Sequence, residues 1–439
     1  MSAPEAATTD DAALPRKSRR AVAVVFLVVF LDLLGFGIII PILPFYVRSF
    51  GVSDVFIGLL AASYSLAQFL AAPYLGQLSD SRGRRPVLML SVAAAGVAWL
   101  VFGLAAEIGA VAGGTAAIVT LFGARLLAGA AGGNIAAAQA YIADVTPKER
   151  RAEALGLIGA AFGLGFVFGP ALGGVMASDA VVAGADSVLP NVVPTTKFSL
   201  PSFAAAGLSF AALATAAVVL EEPDRTRATA RRTGAMAQFR TALSDTALRP
   251  LVLAFFLTSF AFAGVQVMFV PFVADFFGYD ATEAALFLTY IGVLGTINQG
   301  VLIGRLARRF GPRPVVLAGV GSLGASLVLL AVSPLVGAAT VGGPAWLTTG
   351  LLALLAFGAL ASFGNGAVNV GLSTLVSENA GADRQGTAFG VTQGAGSLGR
   401  TVGPPLAAAA YVLVYWSPFV GGALLLVPVA ALLWRSRRG

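Results

Sequence analysis

The 439-residue chain is 57% hydrophobic and only 11% charged, with a mean hydropathy of +0.86; a soluble globular protein carries about 25% charged residues, so lipid is the expected solvent. It contains no cysteine and no histidine, which removes a disulfide frame, a Cys/His metal site and an imidazole acid/base, and with them the commonest routes to hydrolytic or metal catalysis; no metal and no cofactor is expected. A net charge of +7 could serve nucleic acid, but 24 of the 28 Lys and Arg fall in segments predicted on one side of the membrane, so the charge sets topology and no nucleic-acid partner is expected.

Residues 1–20 read as a polar tail, acidic at Asp10-Asp11 and basic at Arg16-Lys17 and Arg19-Arg20. The apolar run that follows, Ala21 to Val47, is too long for a signal-peptide core and no cleavage pattern follows it, so it reads as a retained first span. Spans of about 20 residues or more then fall near 21–47, 54–78, 86–106, 114–142, 149–177 and 200–220. A second six fall near 250–276, 282–306, 313–334, 344–376, 385–414 and 416–435. An all-α membrane protein of twelve transmembrane helices is the expected fold class. The expected division is a tail (1–20), a six-helix bundle (21–220), a polar linker (221–249), a second six-helix bundle (250–435) and a short C-terminus (436–439).

An even number of spans puts both termini on one side. The basic tail, Arg82–Arg85, Lys148–Arg151, Arg225–Arg249, Arg305–Arg313, Arg384 and Arg435–Arg438 then share the cytoplasm, whereas the opposite loops hold only Arg48 and Lys197. The expected location is therefore a cell (inner) membrane crossed many times, with cytoplasmic termini.

The chain also repeats itself. Gly76, Leu78, Gly83, Arg85, Pro86 and Val87 recur at the same spacing as Gly304, Leu306, Gly311, Arg313, Pro314 and Val315. Pro44-Phe45 with Phe50-Gly51 returns as Pro271-Phe272 with Phe277-Gly278, Gly133-Asn134 as Gly364-Asn365, and Gly156, Gly165, Gly169 and Pro170 as Gly390, Gly399, Gly403 and Pro404. Echoes in the same order indicate parallel repeats, hence two pseudo-symmetric halves with a path between them. The loop copies differ in one respect: Asp80 becomes Arg308 and Arg82 becomes Phe310, so only the first keeps the acid that a charged latch requires.

Asp32 lies about 17 Å into the first span. An ionisable group at that depth costs roughly 2.5–3.5 kcal/mol on insertion scales and must face a cavity or a partner. It either locks two helices through a salt bridge or exchanges a proton as water access alternates, and the second role is expected. Arg125, in the fourth span, cannot titrate and would act as fixed charge; near Asp32 it favours the carboxylate, and moving apart restores proton affinity. Gly129 and Gly133 follow it at helical spacing and leave a narrow face for a neighbouring helix. Arg400 in the eleventh span has no evident acidic partner and is a candidate substrate contact, beside the neutral cavity candidates Gln68, Gln266, Asn298, Gln299, Asn365 and Asn369; each of these six serves equally as interhelical glue. Gly165, Gly169 and Gly173 form one bare stripe, with Gly156 before it, Gly174 after it, and Pro170 bending the span.

These motifs resemble the major facilitator superfamily, and within it the twelve-span drug/proton antiporters, especially the tetracycline-exporter branch. Gly76-x-Leu78-x-Asp80-x-x-Gly83-Arg84-Arg85 resembles the superfamily loop signature, in which the acid and the arginines latch the two halves. Gly156, Gly165, Gly169, Pro170, Gly173 and Gly174 match the antiporter glycine signature, Arg125 falls at the family's fourth-helix arginine, and Asp32-Leu33-Leu34-Gly35 with Pro41 and Pro44 resembles its first-helix pattern. Ser81, not arginine, follows the loop aspartate, and Ala98 and Leu323 stand where the tetracycline exporters carry membrane acids. The resemblance implies a monomeric, proton-coupled efflux antiporter whose partners are a lipophilic small molecule, protons and the bilayer. A carrier of organic anions or lipid-like metabolites is the alternative.

Overall fold

The computed structural model describes residues 16–147, 150–223, 243–245, 248–336, 348–379 and 385–435. Twelve long helices account for most of them. The first six are α1 (Arg16–Ile39), α2 (Val55–Arg82), α3 (Arg84–Gly103), α4 (Gly114–Val145), α5 (Arg151–Ala177) and α6 (Ser199–Val219). The second six are α7 (Arg249–Phe277), α8 (Ala281–Phe310), α9 (Pro312–Val332), α10 (Thr349–Asn379), α11 (Gln385–Leu413) and α12 (Ser417–Arg435). Eleven are long and apolar enough to cross a bilayer. The twelfth, α11, is as long, but its first half is rich in Gly, Gln, Ser and Thr and is followed by Arg400 at mid-helix. That polarity is consistent with a helix facing an internal cavity rather than lipid.

Each boundary has a local cause. The first span stops at Ile39 rather than running to Val47, because Pro41 supplies no backbone donor; a separate short helix, Leu43–Arg48, follows with Pro44 in its first turn. α2 and α3 meet at Gly83 (φ +123°), and α8 and α9 at Gly311 (φ +83°). Gly51 (φ +67°) and Gly278 (φ +70°) likewise hold equivalent left-handed turns. The repeat read from sequence is thus also a repeat of backbone conformation. α4 is interrupted by a 3₁₀ turn at Gly132–Asn134, and α8 by a π turn at Asn298–Leu302.

The glycine stripe packs α5 against α1 of its own half. A Cβ on Gly165 would lie 2.8 Å from the Leu33 Cβ, and one on Gly169 only 2.6 Å from the Gly37 Cα. α11 repeats this on α7, where Cβ atoms on Gly399 and Gly403 would strike the Phe256 and Phe260 carbonyls. The expected smooth face is therefore an intra-half contact. The halves meet through other glycines: Gly58 of α2 abuts Pro404 and Ala408 of α11, Gly174 of α5 abuts Ala285 of α8, and Gly292 of α8 abuts Phe166 of α5. The tail to residue 15, Arg225–Arg232 of the linker, Arg384 and the C-terminus after Arg435 lie outside the described residues.

Candidate functional site

A cavity of about 2390 Å³ lies between the halves. It runs from Leu43 and Pro44 near one end to Gln77, Gln139, Leu243 and Gln393 near the other, the end that carries Arg82–Arg85. Among its lining residues the charged ones are Asp32, Arg125 and Arg400. Gln68, Gln266, Gln299, Asn365 and Asn369 also line it. Gly156 and Pro170 reach its wall, whereas Gly165, Gly169, Gly173 and Gly174 lie behind it as packing surface.

Asn298 is the exception among the expected polar contacts. It does not line the cavity; its amide donates to the Ser362 hydroxyl at 3.2 Å and ties α8 to α10. Asn298 and Gln299 are consecutive, so their side chains point about 100° apart on the helix; Gln299 faces the cavity and Asn298 faces α10. Gln68 lines the cavity and at the same time donates to the Gly132 carbonyl at 3.1 Å, while Asn369 donates to the Asn365 side chain at 2.9 Å.

Asp32 is partly exposed to the cavity, and its carboxylate is within hydrogen-bonding reach of the side chain of Asn134 in the 3₁₀ turn of α4. Asp32 and Arg125 form no ion pair in this conformation. The Arg125 guanidinium instead lies over two aromatic rings, 4.7 Å from the Tyr64 centroid and 5.7 Å from that of Phe36. The side chain is only 4% exposed, and its Nε has no hydrogen-bond partner. Arg400 donates to Ser397 at 2.8 Å and, among the described residues, pairs with no carboxylate. Its guanidinium lies beside Gly396 and Ser259.

Tyr64 carried no signal in the sequence. It is in electrostatic reach of Asp32, Arg125 and Arg400 together. α2 comes close enough to α4 for this because Gly129 and Gly132 lack side chains; a Cβ on Gly132 would sit 2.6 Å from the Tyr64 hydroxyl, and one on Gly129 would strike the Tyr64 backbone.

The two ends of the bundle differ. At the far end, Arg48 donates to both oxygens of Asp54 (2.8 and 2.6 Å) and to both oxygens of Asp275 on α7 (2.7 and 2.9 Å). Tyr411 of α11 adds a hydrogen bond to Asp275 at 2.7 Å. Hydrogen bonding to Asp54 first, and then to Asp275, outweighs burial and holds the Arg48 guanidinium above its ordinary range. At the Arg82–Arg85 end, Arg84 bridges Asp80 (2.6 Å) and Asp144 (3.0 Å), all within the first half. The Glu222 carboxylate accepts from the Arg84 and Arg85 backbone N–H groups at 2.7 and 2.9 Å, capping the start of α3. A Cβ on Gly76 would meet nothing within 4 Å. In the second copy, Arg305, Arg308, Arg309 and Arg313 form no ion pair among the described residues.

Residues 25–404 match the model of the Major Facilitator Superfamily. The chain is 32% identical over 434 residues to the tetracycline resistance protein, class C, of Escherichia coli, covering 96% of this chain and 98% of that one. It is 30% identical to the major facilitator superfamily domain-containing protein 10 of Bos taurus, covering 90% of this chain and 88% of the relative. Among solved structures, the human organic anion transporter MFSD10 (TETRAN) superposes with a TM-score of 0.61 at 26% identity, over 95% of this chain and all of that one. A bacterial homolog of the human lysosomal transporter Spinster, in an inward-facing and unoccupied conformation, shares the fold at a TM-score of 0.73 and 16% identity, over 97% and 98% of the two chains. With its duplicated six-helix halves, its central cavity and these relatives, the chain belongs to the Major Facilitator Superfamily, as a multi-pass membrane transporter rather than an enzyme, and resembles the tetracycline-exporter branch.

Proposed function

We propose that this protein is a proton-coupled secondary transporter that exchanges a lipophilic small molecule for protons by alternating access, with Asp32 as the proton site. The observation that carries the reading is Asp32, without an ion-pair partner, in a large and mostly apolar cavity that Arg125 also lines. A proton crossing about 100 mV yields roughly 2.3 kcal/mol, somewhat over one decade of substrate gradient, so one carboxylate suffices. The basic end is cytoplasmic and carries both termini, which makes this conformation open to the cytoplasm and sealed outside by Arg48. The protein works as a monomer in a cell (inner) membrane. Asp80, Arg84 and Arg85, with Gly76 and Gly83, act as the gating loop.

A second reading, transport of organic anions, is favoured by one specific observation. Two arginines and one acid line the cavity, so its fixed charge is positive, and a relative is described as an organic anion transporter. Ala98 and Leu323, which replace the acids of the tetracycline exporters, are fully buried in the core and offer the cavity nothing.

A substrate panel spanning cationic, neutral and anionic lipophiles, assayed in proteoliposomes with an imposed pH gradient, tests both readings. Asp32→Asn abolishes the pH-driven flux and leaves counterflow; flux unchanged by this substitution would sink the role of Asp32. Flux confined to anions would favour the second reading.

A further inference from the structure

We propose that the ring face of Tyr64, backed by Phe36, is an alternative seat for the Arg125 guanidinium, and that this seat allows Asp32 to hold a proton. Tyr64 is thus a positioning residue for proton exchange. The inference rests on the reading of Asp32 as the proton site and adds the element that reading lacks, a defined place for Arg125 when it is not paired with Asp32.

The geometry is specific. The Tyr64 and Phe36 rings lie 4.9 Å apart and inclined by 37°, forming a corner around the guanidinium. Phe166 of α5 closes the back of Phe36, edge-on at 6.3 Å. Arg125 is buried, its Nε is unpartnered, and no carboxylate pairs with it. An arginine inside a membrane protein needs an acid, a carbonyl cluster or an aromatic face; here it has the third. The corner exists because Gly129 and Gly132 bring α4 against α2. Beside Asp32, α4 contributes Asn134 and α2 contributes Tyr64, and Tyr64 is in turn within electrostatic reach of Arg125 on α4 and Arg400 on α11. α6 has no ionisable residue, and Arg151, Glu153 and Asp144 lie at the basic end of α5 and α4. Of the two arginines, Arg125 is the one seated on the ring that Asp32 also reaches, and in this proposal its position decides the charge next to Asp32. Seated on the rings, it leaves Asp32 without a counter-ion; displaced from them, it has only Asp32 to meet. A substrate that lays a flat apolar portion on the same rings displaces it, so substrate and proton oppose one another, as exchange requires.

The test needs no substrate. Infrared difference spectroscopy of the detergent-solubilised full-length protein follows the carboxyl signal that Asp32→Asn removes, as a function of pH. Tyr64→Leu abolishes the seat and should move the midpoint of that signal to lower pH by about one to three units, the effect of a cation arriving within roughly 4–6 Å of a carboxylate. Tyr64→Phe keeps the ring and should hold the midpoint within about half a unit of wild type. Tyr64→Leu combined with Arg125→Met should return the midpoint towards wild type, which a general loosening of the bundle would not do. A midpoint unmoved in Tyr64→Leu, an equal shift in Tyr64→Phe, or a double variant that stays shifted would each overturn the proposal. A carboxyl signal that survives Asp32→Asn would instead sink the proton-site reading beneath it.

Discussion

Arg48 and Asp275 form an ion pair of 2.7 Å that joins the two halves of the protein, and it is the one ion pair among the described residues that does so. Its position explains why the cavity ends near Leu43 and Pro44. Arg48 closes the turn after the first span, Asp54 opens α2, Asp275 lies near the end of α7, and Tyr411 near the end of α11. The pair is about one-third exposed, so its worth is discounted to about 0.5–1 kcal/mol. That is a few-fold in a two-state population, a proper size for a contact that would break in each cycle of the proposed alternating access. Arg48→Gln should raise the population open at that end by roughly threefold. The chain has no cysteine, so pairs of introduced cysteines carrying spin labels can report the distance across both ends directly. Unchanged distance distributions would remove Arg48 from the gate.

The same latch has a defined pH response. Its partners raise Arg48 above the ordinary arginine range, so the stabilisation it gives is complete below that range and is lost only as pH rises through the raised value. Between about pH 6 and 9 the guanidinium stays charged. Spin-label distances across the Arg48 end should therefore be independent of pH over that window in an Asp32→Asn background, where the proposed proton site no longer contributes. An opening with rising pH in that background would show that a group other than Arg48 controls the gate.

The stripe on α5 predicts a gradient of tolerance. Gly169→Ala brings a methyl group to within 2.6 Å of the Gly37 Cα and 3.0 Å of the Leu34 carbonyl oxygen, both of them backbone that a side-chain rotation cannot relieve. Gly156→Ala meets nothing within 4 Å. The first should cost about 1–3 kcal/mol, and the second close to nothing. Thermal unfolding in detergent would compare the two; equal melting temperatures would mean that α1 and α5 are not so closely packed.

Much of this was legible in the sequence because it is periodic. Twelve apolar runs, two loops with the same glycines and a four-residue stripe all repeat, and repetition survives the absence of coordinates. Single residues were harder to read. Tyr64 is one aromatic in an apolar helix, and its value comes from Arg125 and two glycines on a different span. Asn298 was expected in the cavity beside Gln299, but consecutive helical residues point about 100° apart, and with Gln299 on the cavity Asn298 faces Ser362 of α10. Arg48 stood out only as an isolated outer charge, since its partner Asp275 is in the other half. Asp32 and Arg125 were expected to interact, and their separation depends on where the rings of Phe36 and Tyr64 lie.

The loop after α2 was expected to act as a latch, and its contacts suggest how it would set the rate of transport. Arg84 is held between Asp80 and Asp144, and the Arg84 and Arg85 amides are held by Glu222 at the start of the linker. The ends of α2, α3, α4 and α6 are thereby tied into one unit remote from the cavity centre. Asp80→Ala frees one side of Arg84 without touching Asp32, Tyr64, Arg125 or Arg400. Such a change acts on the interconversion of states and not on the site that holds substrate. The expected outcome is a fall in maximal flux with a dissociation constant within about twofold of wild type; Asp144→Asn should behave in the same direction. Flux assays in proteoliposomes, set beside equilibrium binding in detergent, separate the two quantities. An affinity loss equal to the flux loss would mean that the loop shapes the binding site and does not govern the movement between conformations.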